Sequence, residues 1–159
     1  MKNNSFKQMF VKLFTVLMIA GSVTVAAGAQ ASILPSGGGS LTGRCGLRSL
    51  NGSYAMTVSA TNLIPPSTTI QIAAVGVLNF DGAGRLTGTA TTSFGGSVGT
   101  DSVTGAYTVD PNCTGTFSIT FSNGFTINHN SVLADEGREM YFIQTDQGTI
   151  TTGHSRRQQ

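Results

Sequence analysis

Residues 70–121 read IQIAAVGVLNFDGAGRLTGTATTSFGGSVGTDSVTGAYTVDPNCTGTFSITF and decide the fold of this chain. Apolar and polar residues alternate in period two over several segments, which is the pattern of a β-strand with one buried face. Short runs of Gly, Asp, Asn and Pro separate the segments and supply the backbone angles of tight turns. The stretch therefore predicts an antiparallel meander.

The alternation continues on both sides of this stretch, and no segment shows the period and caps of an amphipathic helix. Eight strands are predicted, at residues 52–60, 68–80, 85–95, 98–109, 113–121, 124–134, 138–145 and 148–155. All links but 61–67, which contains Pro65 and Pro66, are short enough for hairpins. We predict an all-β fold, a single eight-stranded antiparallel up-and-down barrel, with a β-sandwich as the alternative.

One face of the predicted strands is apolar, and the opposite face carries mainly Thr, Ser, Asn and Arg. The apolar face is expected to line the barrel interior. The strand Thr68–Phe80 departs from this pattern, because Ala73, Val75 and Val77 make its second face apolar as well. We expect that outer face to be covered by the Pro65-Pro66 loop or by a partner subunit in an oligomer.

The first 31 residues have the features of a secretory signal peptide. Lysines at positions 2, 7 and 12 precede an apolar run, and Ala29-Gln30-Ala31 forms a small-x-small cleavage site. A transmembrane anchor is the rival interpretation, but the run is short for a bilayer. The predicted organisation is a signal peptide at 1–31, a flexible leader at 32–44 and a β-barrel domain at 45–159, in a secreted or periplasmic protein with no membrane anchor after cleavage.

Cleavage removes every lysine and leaves six Arg against seven Asp and Glu, a net charge of −1 instead of the formal +2. A near-neutral domain lacks the basic surface that nucleic-acid binding requires. It also lacks a polybasic patch for anionic lipids. We therefore expect neither a nucleic-acid partner nor binding to anionic membranes.

Cys45 and Cys113 are the only two cysteines. In an exported protein an even count predicts a disulfide. A Cys-His metal site is the alternative, but one cysteine pair and two histidines are a poor ligand set. We expect the disulfide and no metal.

The candidate ligand-binding residues share the inward phase of the strands, where rings supply apolar area and an imidazole adds a polar group. They are Tyr54, Tyr107, Phe117, Phe125 and His129. His129 can be a ligand contact or acid/base group, since imidazole titrates near neutral pH, or only a satisfied polar residue near the barrel mouth. The acidic cluster at 135–139 is typical of a solvated turn. No catalytic residue and no cofactor are predicted.

Three segments resemble a family of small exported bacterial proteins of unassigned function: AAVGVLNFDGAGRLTG (73–88), GAYTVDPNCTGTFSITF (105–121) and EMYFIQTDQGTITTGHSRRQ (139–158). This resemblance implies export and a barrel. The architecture also resembles calycin and allene-oxide-cyclase-like barrels. Gly52-Ser53-Tyr54 is similar to the lipocalin Gly-x-Trp motif, with Tyr in place of Trp, and Arg156 or Arg157 is a counterpart of the late lipocalin Arg.

Three functions fit the sequence. The first is binding of a small apolar ligand inside the barrel, because eight strands enclose room for one small molecule. The second is a structural or cell-surface interaction role without a ligand. The third is a cyclase- or isomerase-like enzyme that uses the barrel as a shaped cavity and would need several polar groups converging inside it.

Overall fold

The computed structural model describes residues Cys45 to Gln159, so the predicted signal peptide and leader lie outside the described residues. A short 3₁₀ turn, Leu47–Ser49, precedes the first strand, and a second, Asp135–Gly137, joins the sixth to the seventh. The strands are β1 (Asn51–Ile64), β2 (Thr68–Asp81), β3 (Arg85–Phe94), β4 (Ser97–Val109), β5 (Thr114–Phe121), β6 (Thr126–Ala134), β7 (Glu139–Gln144) and β8 (Thr149–Arg157). Each matches a predicted strand.

The eight strands form a closed antiparallel barrel in sequential order, which confirms the predicted up-and-down fold over the sandwich. β1 closes the ring by pairing with β8, with Tyr54 opposite Arg157 and Asn62 opposite Thr149. Closure leaves neither edge strand with an unpaired row of backbone groups. The barrel therefore needs no covering helix.

The apolar face predicted from the alternation lies inside the barrel. Its core includes Tyr54, Leu78, Leu86, Val103 and Met140, none more than 1% exposed. Burial of each such side chain contributes about 1.5–3 kcal/mol relative to exposure. This packing is the main stabilising contribution to the fold.

Inward-facing glycines let the strands bend around this core. At Gly105 an added Cβ would lie 1.9 Å from the backbone oxygen of Ser118, so the two strands approach too closely for any side chain. At Gly153 an added Cβ would lie 2.1 Å from the ring of Phe142, which covers the glycine. Such glycine bends allow a small barrel to close.

The two ends of the barrel differ. We call the end where β1 begins and β8 ends the closed end, because residues 45–50 lie across it and Leu50 is only 1% exposed. We call the other end, with the hairpins at residues 65–67, 95–96, 122–125 and 145–148, the open end. There the inward-facing side chains of Ile70 and Ile72 are only half-buried. The inward side chains nearest the open end are therefore partly accessible to solvent.

The predicted disulfide is confirmed. Cys45 and Cys113 are bonded, and their sequence separation of 68 residues ties the segment across the closed end to the turn between β4 and β5. The described part of the chain contains no free cysteine.

Two expectations about the first hairpin are corrected. β1 continues to Ile64, so the expected loop at 61–67 shrinks to a turn at Pro65, Pro66 and Ser67. Thr61 and Asn62 belong to the strand, where they pair with Gln71 and Ile70, and Asn62 points inward and is 8% exposed. The proline turn does not cover the outer face of β2, since Val75 is 58% exposed. Coverage by a partner subunit stays a prediction.

Candidate functional site

Two of the predicted ligand-binding residues, Tyr54 and Tyr107, lie at the closed end, where their hydroxyls donate hydrogen bonds to backbone carbonyls. The hydroxyl of Tyr54 donates to the carbonyl of Gly137 at 2.6 Å. The hydroxyl of Tyr107 donates to the carbonyls of Leu50 at 2.9 Å and Leu47 at 3.2 Å. Both rings pack edge-on against Phe80, with centroids 5.2 and 5.1 Å away. Their polar atoms are therefore already committed to structural hydrogen bonds.

Arg157 completes this end of the barrel. Its guanidinium lies 5.4 Å from the centre of the Tyr54 ring, and Nε donates to the Tyr54 hydroxyl at 3.1 Å. Nη2 donates to the carbonyl of Ser49, also at 3.1 Å. Of Arg156 and Arg157, Arg157 is therefore the one that contacts Tyr54 of the Gly52-Ser53-Tyr54 segment.

The other predicted residues lie nearer the middle and the open end. Phe117 and His129 face each other across β5 and β6 with parallel rings, centroids 4.3 Å apart and planes 7° apart. Phe142 stands edge-on to both, 5.1 Å from Phe117 and 5.4 Å from His129. Phe125 lies apart from this group, at the open end, with its ring 6.1 Å from that of Phe121. We refer to Phe117, His129 and Phe142 as the aromatic cluster.

His129 is the most unusual residue of the aromatic cluster. It is only 3% exposed, and its Nδ1 has no hydrogen-bond partner within the described residues. Burial lowers the pKa of His129 to about 4, against smaller opposing effects of the Phe117 backbone and the Asp146 charge. The ring is therefore neutral at neutral pH. The expectation that it titrates near pH 7 is wrong, because burial disfavours the charged form. A buried nitrogen without a partner is costly in a dry core.

The inward side chains between the aromatic cluster and the open end are mainly apolar. Several of them are half-buried, although their counterparts at the closed end are fully buried, and these include Val58, Ile70, Ile72, Ala74, Phe121 and Ile127. Two further inward positions in this half carry only a methyl group, Ala60 and Ala90, both 6% exposed. Apolar walls with few polar groups are typical of small-molecule sites.

The polar groups near the open end are mostly bonded to one another. The Thr151 hydroxyl donates to Oε1 of Gln144 at 3.2 Å, and the Gln144 amide donates to Asp146 at 3.2 Å. Asp146 also accepts from the backbone and the side chain of Asn128, and these bonds outweigh burial and lower its pKa. Within the aromatic cluster, by contrast, His129 Nδ1 has no such partner.

Two grooves lie on the outer surface of the barrel. One, of about 630 Å³, runs over β5 to β8 and is lined by Val132, Tyr141 and Ile143 among others. The second, of about 400 Å³, runs over β4 to β6 past Thr116 and Asn130, and Phe117 and His129 of the aromatic cluster also contribute to its lining. The alternation along one strand predicts neither groove, because each groove is formed by side chains of three or four neighbouring strands together. Both grooves are alternatives to the barrel interior as a binding site for a ligand.

Glu139, Tyr141 and His154 form a cluster beside the larger groove. The Tyr141 hydroxyl donates to Glu139 at 3.0 Å, and this bond raises the pKa of Tyr141. His154 stacks on Tyr141 at 4.7 Å, and its Nε2 lies 3.8 Å from Glu139, a separation for an ion pair but too long for a hydrogen bond. No group of three metal-ligating side chains occurs among residues 45–159.

Phe142 is the residue of the candidate site that the sequence did not identify. Both phases of EMYFIQ are apolar, so the alternation did not separate Phe142 and Met140, which are buried, from the exposed Tyr141 and Ile143. Gly153 carried the missing signal, because it lies opposite Phe142 and leaves the space that the ring occupies. The pairing between β7 and β8 was needed to recognise it.

The similarities to known proteins are structural. No protein-family model and no curated protein matches the chain. A redesigned β-barrel, mFAP1, bound to DFHBI, is similar with a TM-score of 0.50 and 16% identity, over 70% of this chain and 97% of that chain. EF1p2_mFAP2b bound to DFHBI has a TM-score of 0.47 and 14% identity, over 70% and 98%. At this identity the likeness to mFAP1 shows the fold alone. Within the described residues, no helix has the length and hydrophobicity to cross a bilayer.

Proposed function

We propose that this protein binds a small, largely apolar molecule in the open half of its barrel, between the aromatic cluster and the open end. The observation that carries the proposal is His129, whose Nδ1 is buried and without a partner in the middle of the barrel. Core polar groups normally have partners, and those that lack one call for an explanation. A ligand that bonds to Nδ1 supplies one.

The surroundings of His129 define the chemistry of this ligand. The rings of Phe117 and Phe142 favour a flat aromatic or conjugated molecule, because such rings pack by stacking and edge contacts. Nδ1 of a neutral imidazole either donates or accepts, depending on the tautomer. A hydroxyl group suits both cases, since it also donates and accepts. We therefore expect an apolar ring system that carries a hydroxyl.

The similarity to mFAP1 supports this proposal at the level of the fold. That redesigned barrel has the same fold and is bound to DFHBI. A closed barrel of this kind therefore accommodates a small molecule in at least one protein. The identity of the natural ligand follows from the residues of this chain and not from that comparison.

Probe binding tests the proposal. The natural protein and two variants, His129→Phe and His154→Phe, are titrated with the apolar dye anilinonaphthalene sulfonate and with DFHBI, following fluorescence. His129→Phe fills space in the barrel and removes Nδ1, so we expect at least a tenfold loss of affinity, the equivalent of about one hydrogen bond. His154→Phe is the matched control, since His154 faces outward, and should bind as the natural protein does. Equal affinity of all three proteins would place the probe elsewhere, and no binding by the natural protein would favour a ligand-free structural role.

A surface-interaction role is the second candidate, and the outer groove over β5 to β8 favours it. Val132, Tyr141 and Ile143 are 53%, 50% and 53% exposed on this side of the barrel. Clustered exposed apolar side chains are typical of interaction surfaces.

We also propose that the barrel is the mature part of an exported bacterial protein, with residues 1–31 as its signal peptide and 32–44 as a leader. The disulfide supports this proposal, because such bonds persist mainly in oxidising compartments.

A further inference from the structure

Charged side chains are segregated along the barrel axis. Every arginine in the described part of the chain lies at the closed end: Arg48, Arg85, Arg138, Arg156 and Arg157 are found in the 3₁₀ turn, at the start of β3, after β6 and at the end of β8. Most of the acidic residues lie there too. The exceptions are Asp101 and Asp146, both half-buried. Asp101 accepts from Ser122 at 2.9 Å, and Asp146 is bonded to Asn128.

The open end carries exposed apolar side chains and no arginine of the described residues. Leu63, Val98 and Ile150 are 44%, 67% and 64% exposed, and each lies within a few residues of an open-end hairpin. Pro65 and Pro66 are also exposed, at the tip of the longest hairpin. Leu63 and Ile150 lie on the adjacent strands β1 and β8, while Val98 lies on β4, across the mouth. We call Leu63, Pro65, Pro66, Val98 and Ile150 the apolar rim.

We propose that the apolar rim docks onto the surface of a lipid bilayer, with the barrel mouth facing the lipid. The rim residues surround the mouth and do not line a groove, so they can be covered together only by a broad surface. The absence of arginines near the rim makes an anionic partner a poor fit, because no cation meets its charge. A neutral, apolar and wide surface is what the interface of a zwitterionic bilayer offers. The closed end, with its arginines and carboxylates, would remain in water.

This inference does not depend on the proposed ligand, because the exposed rim and the charge distribution exist with or without one. If both proposals hold, an apolar molecule passes between lipid and barrel without crossing water. Failure of one proposal can be distinguished from failure of the other, because the lipid experiment uses no ligand and the probe titration uses no lipid.

Tryptophan substitution tests the docking, because the chain has no tryptophan of its own. Val98→Trp places a reporter on the rim, and Val132→Trp places a control on the outer face toward the closed end, where Val132 is 53% exposed. Phosphatidylcholine vesicles are added to each variant, with and without brominated acyl chains. We expect a blue shift and bromine quenching for Val98→Trp and neither for Val132→Trp. The shift should persist when salt is raised to about 0.5 M, since apolar docking is not screened.

A second variant keeps the test independent of the reporter. Replacing Leu63, Val98 and Ile150 together by Thr, which suits exposed strand positions, should reduce co-sedimentation with the same vesicles at least tenfold. Circular dichroism checks its fold, and if it does not fold, the two tryptophan variants decide. No shift for Val98→Trp, equal shifts at both positions, or binding only to anionic vesicles at low salt would overturn the proposal. A shift of Val98→Trp that rises with protein concentration in the absence of vesicles would assign the rim to a second copy of the chain and overturn it as well.

Discussion

His129 is the buried residue of the barrel interior on which the proposed ligand binding depends. It is aligned with the apolar residues of β6, which its position in the alternation predicted correctly. Its burial, its stacking on Phe117 and the missing partner of Nδ1 depend on packing across strands that no local pattern contains. The sequence therefore identified the residue and its orientation, and the fold determines its electrostatics.

The low pKa of His129 makes the stability of the protein dependent on pH. An unfolded histidine titrates near 6.5 and the buried one at about 4, so the unfolded chain takes up the proton first as the pH falls. Stability from the neutral ring is fully present above about pH 6.5 and is lost progressively toward pH 4. Between pH 7 and 4.5 we expect a loss of roughly 2–3 kcal/mol from this group, and His129→Phe should abolish that part of the loss.

Urea unfolding of both proteins at the two pH values measures this difference. His154→Phe serves as the control and should lose as much stability as the natural protein, because its His129 is intact. The same pH-dependent loss in His129→Phe as in the natural protein would contradict the buried, neutral state assigned to this ring.

At the scale of elements, the closed end shows how a short segment outside the sheet becomes part of the core. The 3₁₀ turn Leu47–Ser49 has no helical pattern of its own, so the sequence placed residues 45–50 only as a lead-in to β1. The carbonyls of Leu47 and Ser49 in this turn accept hydrogen bonds from Tyr107 on β4 and Arg157 on β8. Such contacts between distant parts of the chain are what single-sequence patterns miss.

Tyr54 is the residue whose loss should disturb this end most specifically. Tyr54→Phe keeps the ring but leaves the Gly137 carbonyl and Nε of Arg157 without the hydroxyl between them. We expect the free energy of unfolding to fall by about 1–3 kcal/mol, as for other buried groups left unpaired. Tyr141→Phe removes an exposed hydroxyl bonded to Glu139 and should change stability by less than about 0.5 kcal/mol. Chemical denaturation that finds equal losses in the two variants would argue against a structural role for the Tyr54 hydroxyl.

At the scale of the whole molecule, the barrel itself was predictable. Period-two alternation, short Gly-, Asp- and Asn-rich turns and the lack of a predicted helix together favoured a closed meander over a sandwich, and β1 pairs with β8 as closure demands. The apolar rim and the outer grooves were not predictable, because they arise when residues from different strands meet around the circumference. The segregation of charged residues was not predictable either, because it is the direction of each strand in the barrel that places the arginines at one end.

The central claim is that a ligand occupies the open half of the barrel and not an outer groove, and amide chemical shifts test it most directly. A ¹H–¹⁵N spectrum is recorded while the anilinonaphthalene dye is added to the natural protein. We predict that the largest shifts fall on inward positions that line neither outer groove, with little change at Val132, Tyr141 and Ile143. These inward positions are Val58, Ile72, Ala74, Phe121 and Ile127. Shifts confined to Val132, Tyr141 and Ile143 would place the ligand in the outer groove over β5 to β8 and contradict the account.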